Sequence, residues 1–212
     1  MYQLVIFDLD GTLLNTIEDI TDSLNLALAE VGCPLVGQEA CQYMVGQGVK
    51  VLIEKAVADS SKRDAVQARY MAHYALHQRD KTHPYYGICD AVKAIRELGV
   101  KTAVLSNKPH RDALSVVTSY FGNNLFDVVM GQKPHNRPKP ALDGCYEIES
   151  ELNIHNHILF VGDTSVDMVT ALNAGYDSVA VTWGFRKPEE ITPYTYMIDE
   201  PHQLLKIVRS KR

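Results

Sequence analysis

The chain has 212 residues, 46% of them apolar, and a formal net charge of −5. That length suits one large domain or one domain carrying an insertion, with apolar residues enough for a core. The acidic balance excludes a polybasic surface for nucleic acid or anionic lipid, and no stretch approaches a membrane span.

In chain order, residues 3–9 are a nearly continuous apolar run. Such a run suits a strand buried on both faces of a parallel sheet. Residues 16–31 predict a helix, with Ile17, Ile20, Leu24, Ala27, Leu28 and Val31 at helical spacing and Gly32 and Pro34 to end it. Helices are expected over 39–45, 49–58 and 62–78, with a break at Gly46-Gln47-Gly48. Strand–helix alternation is missing from this stretch, so residues 16–81 read as an inserted helical subdomain. Residues 82–87, with Pro84 and Gly87, read as the return linker.

Beyond the linker the alternation begins. Helices are expected over 88–98, 109–120, 140–152 and 165–174, and strands over 101–105, 126–130, 157–161 and 178–181. A basic, proline-rich loop covers 133–139. A short strand at 196–198 and a helix at 201–208 follow, and Arg209-Ser210-Lys211-Arg212 reads as a solvated tail. Repeated strand–helix units argue for a parallel sheet with helices on both faces. Ligands of such sheets bind outside the carboxyl ends of the strands.

The polar strand ends therefore carry the interest. Asp8 and Asp10 are two apart at a strand end and point to the same side. Two close carboxylates repel unless a cation or a shared proton intervenes. A divalent metal beside a reactive carboxylate is the economical reading; an acidic turn capped by Thr12 is the competing one. Asp163 and Asp167, four apart, share a helix face. Oxygen-only ligands suit Mg²⁺. Ser106 offers a hydroxyl, the helix after Lys108 offers free amides, and Lys139 offers a point charge for an anion. Together these suggest phosphoryl transfer. No GxxxxGK[ST] loop is present.

Four motifs occur in order: Asp8-Leu9-Asp10-Gly11-Thr12, Ser106-Asn107, Arg137-Pro138-Lys139-Pro140, and Gly162-Asp163-Thr164-Ser165-Val166-Asp167. In this order and spacing they resemble the haloacid dehalogenase superfamily of aspartyl-phosphate-forming phosphatases. The helical insertion resembles the cap of the subgroup that holds the phosphoglycolate phosphatases and β-phosphoglucomutases. The resemblance covers nearly the whole chain. It implies an α/β fold, with a Rossmann-like parallel-sheet core (1–15 and 82–212) and an inserted α-helical cap (16–81). It also implies roles. Asp8 would be the nucleophile. Asp10 would be the general acid and then the base. Ser106, the Asn107 amide and Lys139 would hold the substrate phosphate, Lys139 also restraining Asp8. Asp8, the Asp10 carbonyl and Asp163 would bind Mg²⁺, and Asp167 would order the metal's waters.

The activity so implied is Mg²⁺-dependent hydrolysis of small phosphorylated metabolites, most like that of the phosphoglycolate phosphatases. A β-phosphoglucomutase-like isomerase, an inorganic pyrophosphatase and a non-catalytic phosphate-binding protein stay open beside it. Asn15 stands where many relatives carry Asp, at the cap entry, where it can still cap a helix. The superfamily's dehalogenases lack the acid–base Asp, so Asp10 argues for phosphate esters over carbon–halogen bonds.

Selectivity is expected in the cap, with Gly46, Gln47 and Gly48 as substrate candidates. Hinges are expected near 14–16 and 82–87. Arg186 is the choice for a polar contact at the cleft, against plain packing of residues 183–186. Lys108 either adds charge near the phosphate or is solvated. His73 with His77, and His155 with His157, are expected to be ordinary surface or packed histidines rather than a metal site. Cys33, Cys41, Cys89 and Cys145 show no CxxC spacing and are expected to be free thiols. The N-terminus shows no secretory signal pattern, so a cytoplasmic setting is expected; no heptads appear, and either a monomer or a homodimer is expected.

Overall fold

The apolar run at the N-terminus becomes β1 (Leu4–Phe7), with every residue fully buried. Val5 and Phe7 join the core on one face of the sheet, Leu4 and Ile6 the core on the other. Alternate side chains of a strand face opposite ways, so a strand covered on both sides has no polar position. The computed structural model describes residues 1–210. Of the basic tail, Lys211 and Arg212 lie outside the described residues.

After β1 come β2 (Leu14–Asn15), α1 (Ile17–Glu30), α2 (Gln38–Met44), α3 (Val49–Ala56), α4 (Arg63–His77) and β3 (His83–Pro84). Then follow α5 (Ile88–Glu97), β4 (Lys101–Pro109), α6 (His110–Phe121), β5 (Val128–Gln132), α7 (Asp143–Leu152) and β6 (Ile158–Gly162). The chain continues through α8 (Ser165–Ala174), β7 (Asp177–Val181) and β8 (Tyr196–Ile198) to α9 (Leu204–Ser210). Six strands form one parallel sheet in the order β5-β4-β1-β6-β7-β8. This is the α/β parallel-sheet class expected. The catalytic-looking strand β1 lies between β4 and β6, so the residues ending all three strands meet above its carboxyl end. No helix of the described residues is long and apolar enough to cross a membrane.

Helices α1 to α4 carry a separate apolar cluster, in which Ile17, Leu24 and Leu28 of α1 pack with Val66, Tyr70 and Tyr74 of α4. Phe185, from the loop after β7, joins this cluster rather than the sheet's own. Its burial there contributes about 1.5–3 kcal/mol to holding the helical layer on the sheet. The two chain crossings into and out of the layer pair as a short antiparallel ladder, Leu14 opposite Pro84 and Asn15 opposite His83. The Asp19 carboxylate accepts the N–H groups of Lys81 at 2.9 Å and Thr82 at 2.8 Å, stitching α1 to the return segment. Asn15 Oδ1 accepts a long hydrogen bond, 3.4 Å, from the N–H of Ile17.

Some boundaries differ from expectation. Strand β4 runs on to Pro109, so residues 106–108 are extended rather than looped. Phe126 packs edge-on against Phe7 and Phe121 in the core and does not begin the next strand. Asp127 beside it is anchored by Arg96, Lys101 and the Thr102 amide. Helix α7 starts at Asp143, not at 140, because Pro138 to Ala141 close a turn instead (Ala141 N–H to Pro138 O, 3.0 Å). That turn is what sends Lys139 inward.

Candidate active site

Asp8 and Asp10 leave β1 on a tight turn. The Leu9 carbonyl accepts the N–H groups of Thr12, Leu13 and Leu14, while the Asp8 N–H still donates to Val161 of β6 at 2.9 Å. Asp163 and Asp167 follow β6 and open α8. Thr164 caps that helix in a reciprocal box: Asp167 Oδ2 accepts the Thr164 amide at 3.1 Å and its hydroxyl at 2.7 Å. The second oxygen, Asp167 Oδ1, is left for Lys139, which donates to it at 2.6 Å and to Asp8 Oδ1 at 2.8 Å. Asp163 accepts the Phe185 N–H at 2.8 Å and the Thr12 hydroxyl at 3.1 Å.

All four charged groups are buried. Burial pushes the Asp8 carboxyl well above its ordinary range, Lys139 pulls it down, and Asp167 and Asp163 push it up. Burial, then Asp167, lifts Asp163 from 3.8 to about 7. Burial also opposes the Lys139 charge, but Asp167 and Asp8 outweigh it and hold the ammonium above its ordinary pKa.

Asp8, Asp163 and Asp167 each present an oxygen within 4.8 Å of the others. Three carboxylates against one ammonium leave two negative charges when all are ionised. Hard oxygen donors and that excess fit a divalent cation. Glycines make the space: a Cβ at Gly11 would lie 2.3 Å from Asp163 Oδ2, and one at Gly184 2.2 Å from Asp163 Cβ. Gly11 also has φ +90°. Gly11→Ala is therefore expected to lower stability by about 1–3 kcal/mol through backbone strain and displacement of Asp163. Thermal melts with and without Mg²⁺ check this; wild-type melting with an undiminished Mg²⁺ shift would refute it.

Asp10 faces a different partner. Both its oxygens accept from Lys108 Nζ at 2.9 Å, and Lys108 is buried, not solvated. Ser106 Oγ accepts the Lys108 N–H at 3.1 Å. The Asn107 side chain is fully engaged with backbone. Its Nδ2 donates to Gly46 O at 3.0 Å and Lys139 O at 3.1 Å, and its Oδ1 accepts the Lys139 N–H at 2.8 Å.

The loop joining α2 to α3 comes down over these strand ends. Gly46 reaches Asn107, and Gly48, at φ +86°, would bring a Cβ to 3.4 Å from Asn107 O. Gln47 between them is exposed and lines a side opening with Thr164 and Arg186. Arg186 donates to the carbonyls of Gln42 and Val45 and lies over the Tyr43 ring, 5.2 Å from its centroid. It thus satisfies carbonyls left free at the end of α2.

The remaining histidine candidates gather no metal site among the described residues. His73 pairs with Glu30, His77 with Asp80 and His155 with Glu149. The four cysteines are free. Sequence reasoning missed Tyr70 and Tyr74, and it did not foresee that Thr12 and Phe185, named as a cap and as packing, would bond Asp163. The tyrosines, four apart on α4 with rings stacked at 5.5 Å, line the cavity over Asp8 and Asp10. Their helical spacing was visible, but it fits ordinary core packing equally well.

Known proteins resemble this chain in sequence and fold. The family model of the haloacid dehalogenase-like hydrolases matches residues 5–181. The chain is 30% identical over 225 residues to the phosphoglycolate phosphatase of Haemophilus influenzae (strain 86-028NP), covering 98% of each. It is 32% identical over 215 residues to the phosphoglycolate phosphatase of Cereibacter sphaeroides, covering 97% of each. A solved Lactobacillus delbrueckii subsp. bulgaricus protein superposes with a TM-score of 0.92 at 30% identity over 99% of each chain. With the family match spanning most of its length and the acidic strand ends gathered around one lysine, this chain belongs to the haloacid dehalogenase-like hydrolase family.

Proposed function

We propose that this hydrolase is a Mg²⁺-dependent phosphatase of small phosphate monoesters, with phosphoglycolate the first substrate to test. The observation that carries the reading is the Asp8 carboxylate, held by Lys139 at 2.8 Å beside two further buried carboxylates. The relatives named phosphoglycolate phosphatase support the substrate.

Asp8 attacks phosphorus, the bond to the ester oxygen breaks, and Asp10 gives that oxygen a proton. Asp10 then takes a proton from water, whose oxygen attacks the aspartyl-phosphate, releasing phosphate and restoring Asp8. Lys139 holds Asp8 in line. Ser106 and the Asn107 amide hold phosphoryl oxygens. Asp8, Asp163 and the Asp10 carbonyl would hold Mg²⁺, with Asp167 orienting its waters. When bound, the ion screens the charge between an anionic nucleophile and an anionic phosphate. Residues 16–81 act as the cap and residues 1–15 with 82–212 as the catalytic core. The crossings near 14–16 and 82–87 are the hinges, and closure keeps bulk water from the aspartyl-phosphate. The free cysteines support a reducing, cytoplasmic setting.

The test is phosphate release from phosphoglycolate with Mg²⁺, its loss in EDTA and its return on adding the metal back. Isomerisation of a hexose phosphate without phosphate release would displace this reading in favour of a mutase. Acid should also weaken the metal. Asp163, at about 7 without the ion, must shed a proton to ligate it. Below pH 7 the apparent Mg²⁺ affinity should fall by about tenfold per unit. Calorimetric titrations from pH 5.5 to 8 measure this, and a flat profile would remove Asp163 from the ligand set.

A further inference from the structure

Lys108 has no part in the chemistry just described, yet it is buried in the cavity. An ammonium carries three N–H donors. Two go to the Asp10 oxygens at 2.9 Å each. The third finds no acceptor among the described residues, and Nζ lies 4.7 Å from the centroid of the Tyr74 ring. The Tyr74 hydroxyl is also buried without a hydrogen-bond partner. Both residues line the cavity above Asp8 and Asp10. Buried donors in folded proteins are nearly always matched, so two unmatched donors on one wall point to an acceptor that comes from outside.

The rest of the wall narrows what that acceptor is. The helical layer adds Ile20, Val49 and Leu52, which offer no side-chain hydrogen bond, and Tyr70, stacked on Tyr74. Asp112, on the same wall, is acidic and makes no ion pair with Lys108. Among the described residues lining this cavity, Lys108 is the one basic side chain. An anionic group on the leaving part of a substrate would meet Asp10 and Asp112, and Lys108 alone can offset their charge.

We propose that Lys108 is a specificity-determining residue: its free N–H, with the Tyr74 hydroxyl, receives an anionic group carried by the leaving portion of the substrate. This rests on the phosphatase reading above. Lys108 is bonded to Asp10, the group assigned to the ester oxygen, so the anion lies within a few bonds of that oxygen. The favoured substrates are phosphate esters with a carboxylate, or a second phosphoryl group, next to the ester.

The experiment compares kcat/KM with Mg²⁺ for phosphoglycolate, inorganic pyrophosphate and ethyl phosphate, in wild type and in Lys108→Met. Wild type should prefer one of the two substrates with a second anionic group over ethyl phosphate by about 10- to 100-fold, the range of a hydrogen bond to a charged group. Which of the two it prefers separates a carboxylate from a second phosphoryl group. In Lys108→Met that preference should collapse to within about threefold, chiefly through KM. Lys108→Arg, which keeps the charge, should retain most of it, and the isosteric Tyr74→Phe should reduce it about three- to tenfold. These two variants carry the test where Lys108→Met does not fold. Equal losses on ethyl phosphate and on the substrates with a second anionic group would overturn the proposal and leave Lys108 as a positioning residue for Asp10. A wild type without preference would overturn it too. A wild type that hydrolyses none of the three overturns the phosphatase reading, and this proposal with it.

Discussion

Asp8→Asn should lower phosphate release by about 10⁴-fold or more while leaving the fold in place. The amide nearly matches the carboxylate in size but has no anionic oxygen with which to attack phosphorus. Loss of a nucleophile removes the covalent route altogether, so the effect belongs with the largest known for single residues. The fold should tolerate the change because burial and the neighbouring carboxylates already disfavour the Asp8 charge, while Lys139 keeps Asp167 at 2.6 Å. Stopped phosphate assays beside circular dichroism and thermal melts measure both halves. Substantial activity in a correctly folded variant would show that another group attacks.

Lys139→Met should have the largest effect on stability, a loss of about 3–5 kcal/mol without metal at pH 8. The ammonium is the shared partner of Asp8 and Asp167, and its removal leaves buried carboxylates facing one another. The pH dependence identifies the cause. Asp8 and Asp163 have folded pKa values above their unfolded values near 4. The folded chain therefore holds more protons than the unfolded chain between about pH 4 and 7. Stability from these groups is present at low pH and declines as pH rises through that window. Without Lys139 the window widens upward, so the variant should regain stability between pH 8 and 5.5 more steeply than wild type. Lys139 itself, with a raised pKa, contributes fully across this range, since its contribution is lost only in strong alkali. Denaturant titrations at pH 5.5, 7 and 8 decide the matter. A deficit constant with pH would trace to lost packing rather than to charge.

Much of this architecture is readable from local pattern. The four apolar residues of β1, followed at once by Asp8 and Asp10, mark a central strand and its functional end. Gly162-Asp163 does the same for β6. The helices of 16–81 announce themselves by spacing. Contacts between distant segments are not announced in this way. Lys108 meets Asp10 across 98 positions, and nothing beside Asn107 tells a buried lysine from a solvated one. Phe185 and Arg186 sit in a loop without periodicity, yet one enters the apolar cluster of α1 to α4 and the other holds the end of α2. The β2–β3 ladder is two residues per strand, too short for alternation to register. Lys139 could be picked by its motif, but only the turn between Pro138 and Ala141 shows how a chain segment rich in proline delivers it inward.

The side chain of Asn107 joins the Gly46 carbonyl of the helical layer to both backbone polar atoms of Lys139. One rigid amide thus touches the helical layer and the buried lysine at once. If the layer swings away, Asn107 loses one of two N–H partners, and its hold on Lys139 is left to the remaining bonds. With the helical layer acting as the lid proposed above, its open and shut states would differ in how tightly the lysine is aligned. By reciprocity, whatever draws Lys139 toward its aligned position, a phosphoryl group included, also favours the shut lid by the same free energy. Shutting and arming the site are in this sense a single equilibrium, read at Gly46 from one end and at Lys139 from the other.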